Sequence, residues 1–399
     1  MIRLNQVNLA GDLKKVVLRA PVLTQSGYGV HSRQIARWLI EKAEKNEILL
    51  TIQCVPWGDT SWYLNGELED GLVEKIMTYS SSNPGPFDVS VQNILPNEWD
   101  PSLANFNIGV TAGVETDKCH DLWVQAVNAM NMVIVPSTHT RDTFLKTGNV
   151  NKEIHVVPES YPDCFRENPD KDKFNFEAKF NFLVFGQFGS RNPEFDRKNI
   201  INTLKWLVEE FKDDPEVGIL LKTNLGRSTV MDYKQIQGLL TDFLSSIGHR
   251  KYPVFQIIHG HLENEDVRDL YANESVRCLV SLTRGEGFGL PLMEAASMNV
   301  PIIATGWSAH KDYLENDSYQ KVKYDLVPVP KERTDDVIFR EGSKWADPKE
   351  KSAKECLRKM KNHSGIYEKR AKSLSKKIIE SHSFDSICAA YDEVTKGVI

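Results

Sequence analysis

Short β-branched runs alternate along the chain with segments in which apolar positions recur every three or four residues. The first pattern predicts buried strands and the second amphipathic helices. Within residues 1–160, "KKVVLRAPVL", "ILLTIQCV", "NIGVTAGV", "MVIVPS" and "EIHVVPE" are the expected strands. "SRQIARWLIEKAEK", "ELEDGLVEKIMTY", "CHDLWVQAVNAM" and "THTRDTFLKTG" are the helices between them. Strand, helix and strand in succession make right-handed crossovers, and so a parallel sheet covered on both faces.

Residues 161–179 interrupt this pattern with prolines and charges and read as a linker. Alternation then resumes with strands "FNFLVFGQFG", "VGILLKT", "VFQIIHG", "VRCLVSLT" and "VPIIAT", separated by "RKNIINTLKWLVEEF", "MDYKQIQGLLTDFLSSIG", "DVRDLYAN" and "LPLMEAASM". The expectation is an α/β chain of two doubly wound, Rossmann-like domains, 1–160 and 180–380, with a helix over 381–399 returning to the first. Residues 324–348 show neither period, and the basic face of the helical tail reads as solvated. Ligands of such sheets collect beyond the carboxyl ends of the strands, which points to the interdomain cleft.

Composition changes this picture little. A chain of 399 residues, 41% hydrophobic and 26% charged, suits two packed domains, and a net charge of −6 argues against a broad basic face for nucleic acid. The six cysteines are scattered without a C-x-x-C, so they are expected to be reduced thiols. No stretch has the apolar length of a signal peptide or a membrane span, and the expected location is the cytoplasm.

Candidate chemistry concentrates in "SLTRGEGFGLPLMEAASM", residues 281–298. Gly285, Gly287 and Gly289 permit a tight turn, and Pro291 suits the first turn of a helix beginning near Leu290. Unpaired amides at that helix start, from Gly287, Phe288, Gly289 and Leu290, form a phosphate site. Glu286 and Glu294 must then point to either side, where carboxylates accept hydrogen bonds from hydroxyl groups. A nucleotide sugar presents that series: sugar hydroxyls, diphosphate, ribose hydroxyls.

"EGFGLPLME" resembles the E-x(7)-E signature of retaining GT-B glycosyltransferases, and "AASMNVPIIATGWSAHKDYL" is similar to its continuation in family 4. The resemblance implies a GT-B fold, a nucleotide-sugar donor and no cofactor or metal. It puts the donor sugar on Glu286, the diphosphate on the turn amides and the ribose on Glu294. "FGQFGSRNPEFDRKNI" resembles the family's diphosphate clamp, which assigns Lys198 to the phosphates. Gln187 stands where the family has an arginine, leaving Arg191, Arg197 and Lys222 as candidate replacements. Gly27 and Gly29 resemble the N-terminal glycine loop over the donor phosphates, although Ser26 equally suits a helix cap. No histidine stands at the strand end of "NIGVTAGVETDKCH", where the family commonly has one; Glu115 is the favoured acceptor-side group, ahead of His120.

Ser137 and Arg141 are further cleft candidates, and residues 306–308 should border the donor sugar. His259 and His261 fall near the expected nucleobase with no third ligand for zinc, His310 reads as a loop residue, and the D-x-D of Asp170 and Asp172 lies in the linker. The implied function is retaining transfer of a sugar from a UDP-, GDP- or ADP-linked donor to an acceptor hydroxyl. One alternative is a nucleotide-sugar epimerase of the same fold. The N-terminal half also resembles glycosyltransferases of tailed phages, and the second alternative is glycosylation of hydroxymethylated cytosine in DNA, along a groove of Arg33, Arg37, Trp38, Trp57, Trp62 and Trp99.

Overall fold

In the computed structural model, the described residues are 13–399 except 188, 189, 191, 227, 249, 250, 316 and 336. They form two six-stranded sheets and one two-stranded sheet. The first contains β1 (Lys14–Ala20), β2 (Ile48–Cys54), β3 (Val89–Asn93), β4 (Phe106–Val110), β5 (Met132–Val135) and β6 (Ile154–Val156). Their order is β2-β1-β3-β4-β5-β6, all parallel, so the winding reverses between β1 and β3. Helices α1 (Gly27–Glu44), α2 (Leu72–Tyr79), α3 (Asp121–Ala129) and α4 (Thr138–Thr147) make the crossovers.

Strand β3 has no counterpart among the expected strands. All five of its residues are buried although three are polar, and each polar side chain makes a hydrogen bond inside the domain, with Asn93 Oδ1 alone of these lacking a partner among the described residues. Ser90 donates to Asn107 (2.7 Å), Gln92 to the Asp100 carbonyl (2.7 Å) and Asn93 to Ser32 (2.9 Å). Buried polar groups are tolerated when paired in this way, and they erase the apolar signal that marks a strand.

The second sheet holds β7 (Phe180–Phe185), β8 (Val217–Thr223), β9 (Val254–His259), β10 (Val276–Ser281), β11 (Ile302–Thr305) and β12 (Gln320–Val322). The order β12-β11-β10-β7-β8-β9, again parallel, is that of a dinucleotide-binding sheet, with its reversal between β7 and β10. Its helices are α5 (Ile200–Phe211), α6 (Val230–Ile247), α7 (Asn264–Ala272) and α8 (Leu290–Ser297). The aperiodic stretch after it is an antiparallel pair, β13 (Tyr324–Pro328) and β14 (Lys344–Pro348). Val329, Phe339 and Trp345 of this excursion bury themselves with Val114, Cys119 and Trp123 of the first domain.

The tail forms α9 (Glu350–Asn362), α10 (Ser364–Ser381) and α11 (Phe384–Val394). Leu374 and Ile378 of α10 pack in one core with Leu292 and Met293 of α8, whereas Phe384, Ile387 and Tyr391 of α11 complete the core under the first sheet. The chain therefore crosses between domains twice, side by side: the amide of Tyr161 donates to the His382 carbonyl at 3.4 Å. Among the described residues no helix is long and apolar enough to cross a membrane.

Candidate active site at the domain interface

The carboxyl ends of both sheets face each other at their winding reversals, and the loops leaving β1, β4, β7, β10 and β11 converge there. Gly289 adopts φ +96°, a backbone that favours glycine, and turns the chain into α8 with proline in the first turn. The Tyr313 hydroxyl lies 3.0 Å from the Phe288 carbonyl and 2.9 Å from that of Gly289, which holds the carbonyls inward. No hydrogen bond among the described residues uses the amides of Gly287, Phe288, Gly289 or Leu290. They are available to an anion.

On one side of those amides stands Glu286. Its carboxylate is 2.7 Å from Lys198 Nζ and 3.7 Å from Arg197, and Arg197 continues to Glu115 of the first domain at 3.2 Å. Arg197 also donates to the Gly285 carbonyl at 2.8 Å. Burial alone would raise the Glu286 pKa, but Lys198 and Arg197 outweigh it and hold the carboxyl below its usual range. The amide of Glu286 donates to Ser308 Oγ at 3.0 Å. Ser308 sits at φ +85°, a backbone strained for serine, as is common where a site requires an unusual geometry.

Glu294 lies on the other side, one turn into α8. The Tyr271 hydroxyl approaches it at 3.3 Å, and burial pushes its pKa up to about 7. Lys222 donates to the Gly260 carbonyl and is pushed down to about 8, again by burial, with Glu294 partly offsetting the effect. Glu159, just beyond β6, is buried with Oε2 lacking a partner among the described residues; desolvation and then Glu294 raise it to about 8. Nothing in its sequence surroundings distinguishes Glu159, because it becomes part of the site only when the domains meet. Tyr271 and Tyr313 have no local signature either, because it is the folding of the second domain that brings them to the start of α8.

The first domain fits closely against this turn. A side chain on Gly287 would come within 2.5 Å of the Ala112 carbonyl, and one on Gly285 would collide with that of Glu115. Ser137 caps α4 and donates across to the Gly287 carbonyl at 2.8 Å. Gly27 faces Leu290, whose Cδ1 would lie 4.0 Å from a Cβ there. Gly29 belongs to the packing of α1: any Cβ would collide with the Thr24 carbonyl, while its amide donates to the Ser26 cap at 2.9 Å.

Several expected residues are placed elsewhere. Arg141 pairs with neighbouring Asp142 at 3.2 Å, His120 caps α3, and His310 is buried against the Thr305 carbonyl. Gln187 bonds Asn224, and Arg191 lies outside the described residues. His261 reaches Tyr63 of the first domain at 2.8 Å, and the described residues contain no cluster of three or more His, Cys, Asp or Glu fit for a metal. Four residues of the basic, aromatic groove expected for DNA are engaged within the chain. Arg33 is buried on Glu69 at 2.6 Å, and Arg37 is neutralised by Asp163 at 2.6 Å. Trp38 is buried against Tyr391, and Trp99 packs beneath Gly109, so neither presents a ring to a nucleic acid.

Comparison with known proteins fits this geometry. The family described as "Glycosyl transferases group 1" matches residues 245–323, a segment that contains both Glu286 and Glu294. No curated protein matches the chain in sequence. Among solved structures, a sucrose-phosphate synthase from Thermosynechococcus elongatus superposes with TM-score 0.63 at 12% identity, over 96% of this chain and 98% of that one. Anabaena HepE in complex with UDP and glucose gives 0.64 at 11% identity, over 96% and 100%. A glycosyltransferase from Rickettsia africae gives 0.61 at 12% identity, over 97% and 100%. The fold is thus GT-B, two Rossmann-like domains in tandem. The matched segment, which holds the turn and both glutamates, is what this chain shares in sequence with glycosyl transferases.

Proposed function

We propose that the protein is a retaining glycosyltransferase that moves a hexose from a UDP-linked donor to an acceptor hydroxyl. The observation that carries this reading is the pair Glu286 and Glu294 on either side of the unpaired turn amides, with Lys198 and Arg197 gathered at one end. UDP is preferred over GDP and ADP because the similar Anabaena fold is described with UDP and glucose.

In this reading the amides of Gly287, Phe288, Gly289 and Leu290 hold the diphosphate together with Lys198. Glu286 accepts hydrogen bonds from the donor sugar and Glu294 from the ribose, with Lys222 beside it. As the bond from C1 to the diphosphate oxygen breaks, charge grows on the leaving oxygen, and cations aimed there stabilise the transition state more than the ground state. The acceptor oxygen bonds to C1 on the face the diphosphate leaves, and its proton passes to the departing diphosphate. Glu115, on the first domain, faces the acceptor side. Neither Glu286 nor Glu294 acts as a nucleophile: they bind separate parts of one donor, unlike the paired carboxyls of a retaining glycosidase.

Glu286→Ala is expected to abolish most turnover of UDP-glucose with an unchanged circular dichroism spectrum. Lys198→Ala removes a charge-assisted contact of roughly 1.5–3 kcal/mol, lowering kcat/KM by about 10- to 100-fold. Wild-type turnover in either variant contradicts the assignment.

A further inference from the structure

The first domain carries an aromatic surface beside the site that donor binding leaves unused. Trp57, in the loop after β2, stacks on Tyr28 with ring centroids 3.9 Å apart and planes 23° apart. Tyr28 is fixed in turn, its hydroxyl 2.8 Å from Thr111 Oγ1 and 3.1 Å from the Ala112 amide, on the loop that leads to Glu115. The Trp57 loop is pinned along its length. Gln25 donates to the Ser61 carbonyl (2.9 Å), Tyr63 to that of Leu23 (2.7 Å) and Thr60 to that of Trp57 (2.7 Å).

Trp57 joins none of the hydrophobic cores, and farther along the loop Trp62 is 38% and Leu64 80% exposed. A Cβ on Gly226 of the second domain would lie 3.0 Å from the Asp59 carbonyl, so the loop stands at the mouth between the domains. A rigid indole with no core to fill, one ring outward from the acceptor wall, is a binding surface.

We propose that Trp57, backed by Tyr28, is the acceptor platform and that the acceptor lays a neutral sugar ring on it, so that the protein extends a glycoside. This rests on the donor reading above. The face of an aromatic ring is negative and attracts the positive C–H face of a pyranose, leaving hydroxyls free to point toward C1 of the donor. A nucleic-acid base also stacks on tryptophan, but a polyanion needs free cations for its phosphates. Among the described residues the arginines of this wall are engaged, Arg33 by Glu69 and Arg37 by Asp163, and Glu67 and Asp70 add further negative charge.

The test uses the full chain with a panel of UDP-, GDP- and ADP-linked hexoses and follows nucleotide release. Methyl glucoside, galactoside or N-acetylglucosaminide is expected to accelerate release above hydrolysis by water, whereas glycerol and duplex DNA containing hydroxymethylcytosine do not. Trp57→Ala should lower the ratio of transfer to hydrolysis about tenfold, mainly by raising the acceptor KM. Trp57→Phe should restore most of it, and Ile366→Ala, an exposed apolar position on α10, should match the wild type. Acceleration by DNA or glycerol that survives Trp57→Ala overturns the proposal, as does hydrolysis that no glycoside accelerates. Failure of every donor to bind or turn over defeats the donor reading itself.

Discussion

Glu286 and Glu159 are buried acids with opposite fates. Glu286 gathers two cations and stays ionised, whereas Glu159 has no ion pair among the described residues and its pKa is raised from 4.5 to about 8. A carboxyl raised on folding adds stability that is complete below the unfolded value and is lost as pH climbs through the folded one. Glu159→Gln, which keeps the shape without the ionisation, should therefore raise Tm at pH 9 and leave it nearly unchanged at pH 5. Equal shifts at both pH values contradict this. The acids of the turn were legible in the sequence because glycines, proline and both glutamates are contiguous. The Arg197 to Glu115 bridge joins residues of different domains and has no local signature. Arg197 stood only as one of three replacements for the arginine missing at Gln187, and the structure brings Arg197 to Glu286 while Gln187 turns to Asn224.

At the scale of elements, the turn between β10 and α8 is both phosphate site and domain contact. Gly287 serves the contact, since its missing Cβ admits the Ala112 carbonyl. Gly287→Ala should push the 111–115 loop away from the turn, reduce kcat/KM at least tenfold and alter far-ultraviolet circular dichroism little; unchanged kinetics would show that the close approach is not needed. Most elements were legible from period and punctuation, β8 (Val217–Thr223) and the start of α8 at Leu290 among them. Two were not. Strand β3 carries Ser90, Gln92 and Asn93 into the core, so its pattern reads as loop. The β13–β14 pair turns Val327 and Trp345 toward another domain and leaves Leu326 exposed, and a sheet of only two strands imposes no clear alternation.

Across the whole molecule, that excursion acts as a clasp. Lys344 and Asp117 exchange hydrogen bonds at 2.8 and 2.6 Å, Arg340 meets Asp121 at 2.8 Å, and Trp345 is fully buried among first-domain side chains. With α11 seated under the first sheet, both ends of the second domain are tied to the first. Calorimetry should show one cooperative transition, and Trp345→Ala, costing about 3–5 kcal/mol, should lower it or split it in two. Two transitions in the wild type would mean that the clasp does not couple the domains. The central claim is that the start of α8, between Glu286 and Glu294, receives the donor diphosphate. A crystal structure with UDP tests it most directly: pyrophosphate oxygens about 3 Å from the amides of residues 287–290 and from Lys198 Nζ are predicted. A pyrophosphate bound anywhere else, with the Lys198 to Glu286 pair and the turn undisturbed, would contradict it.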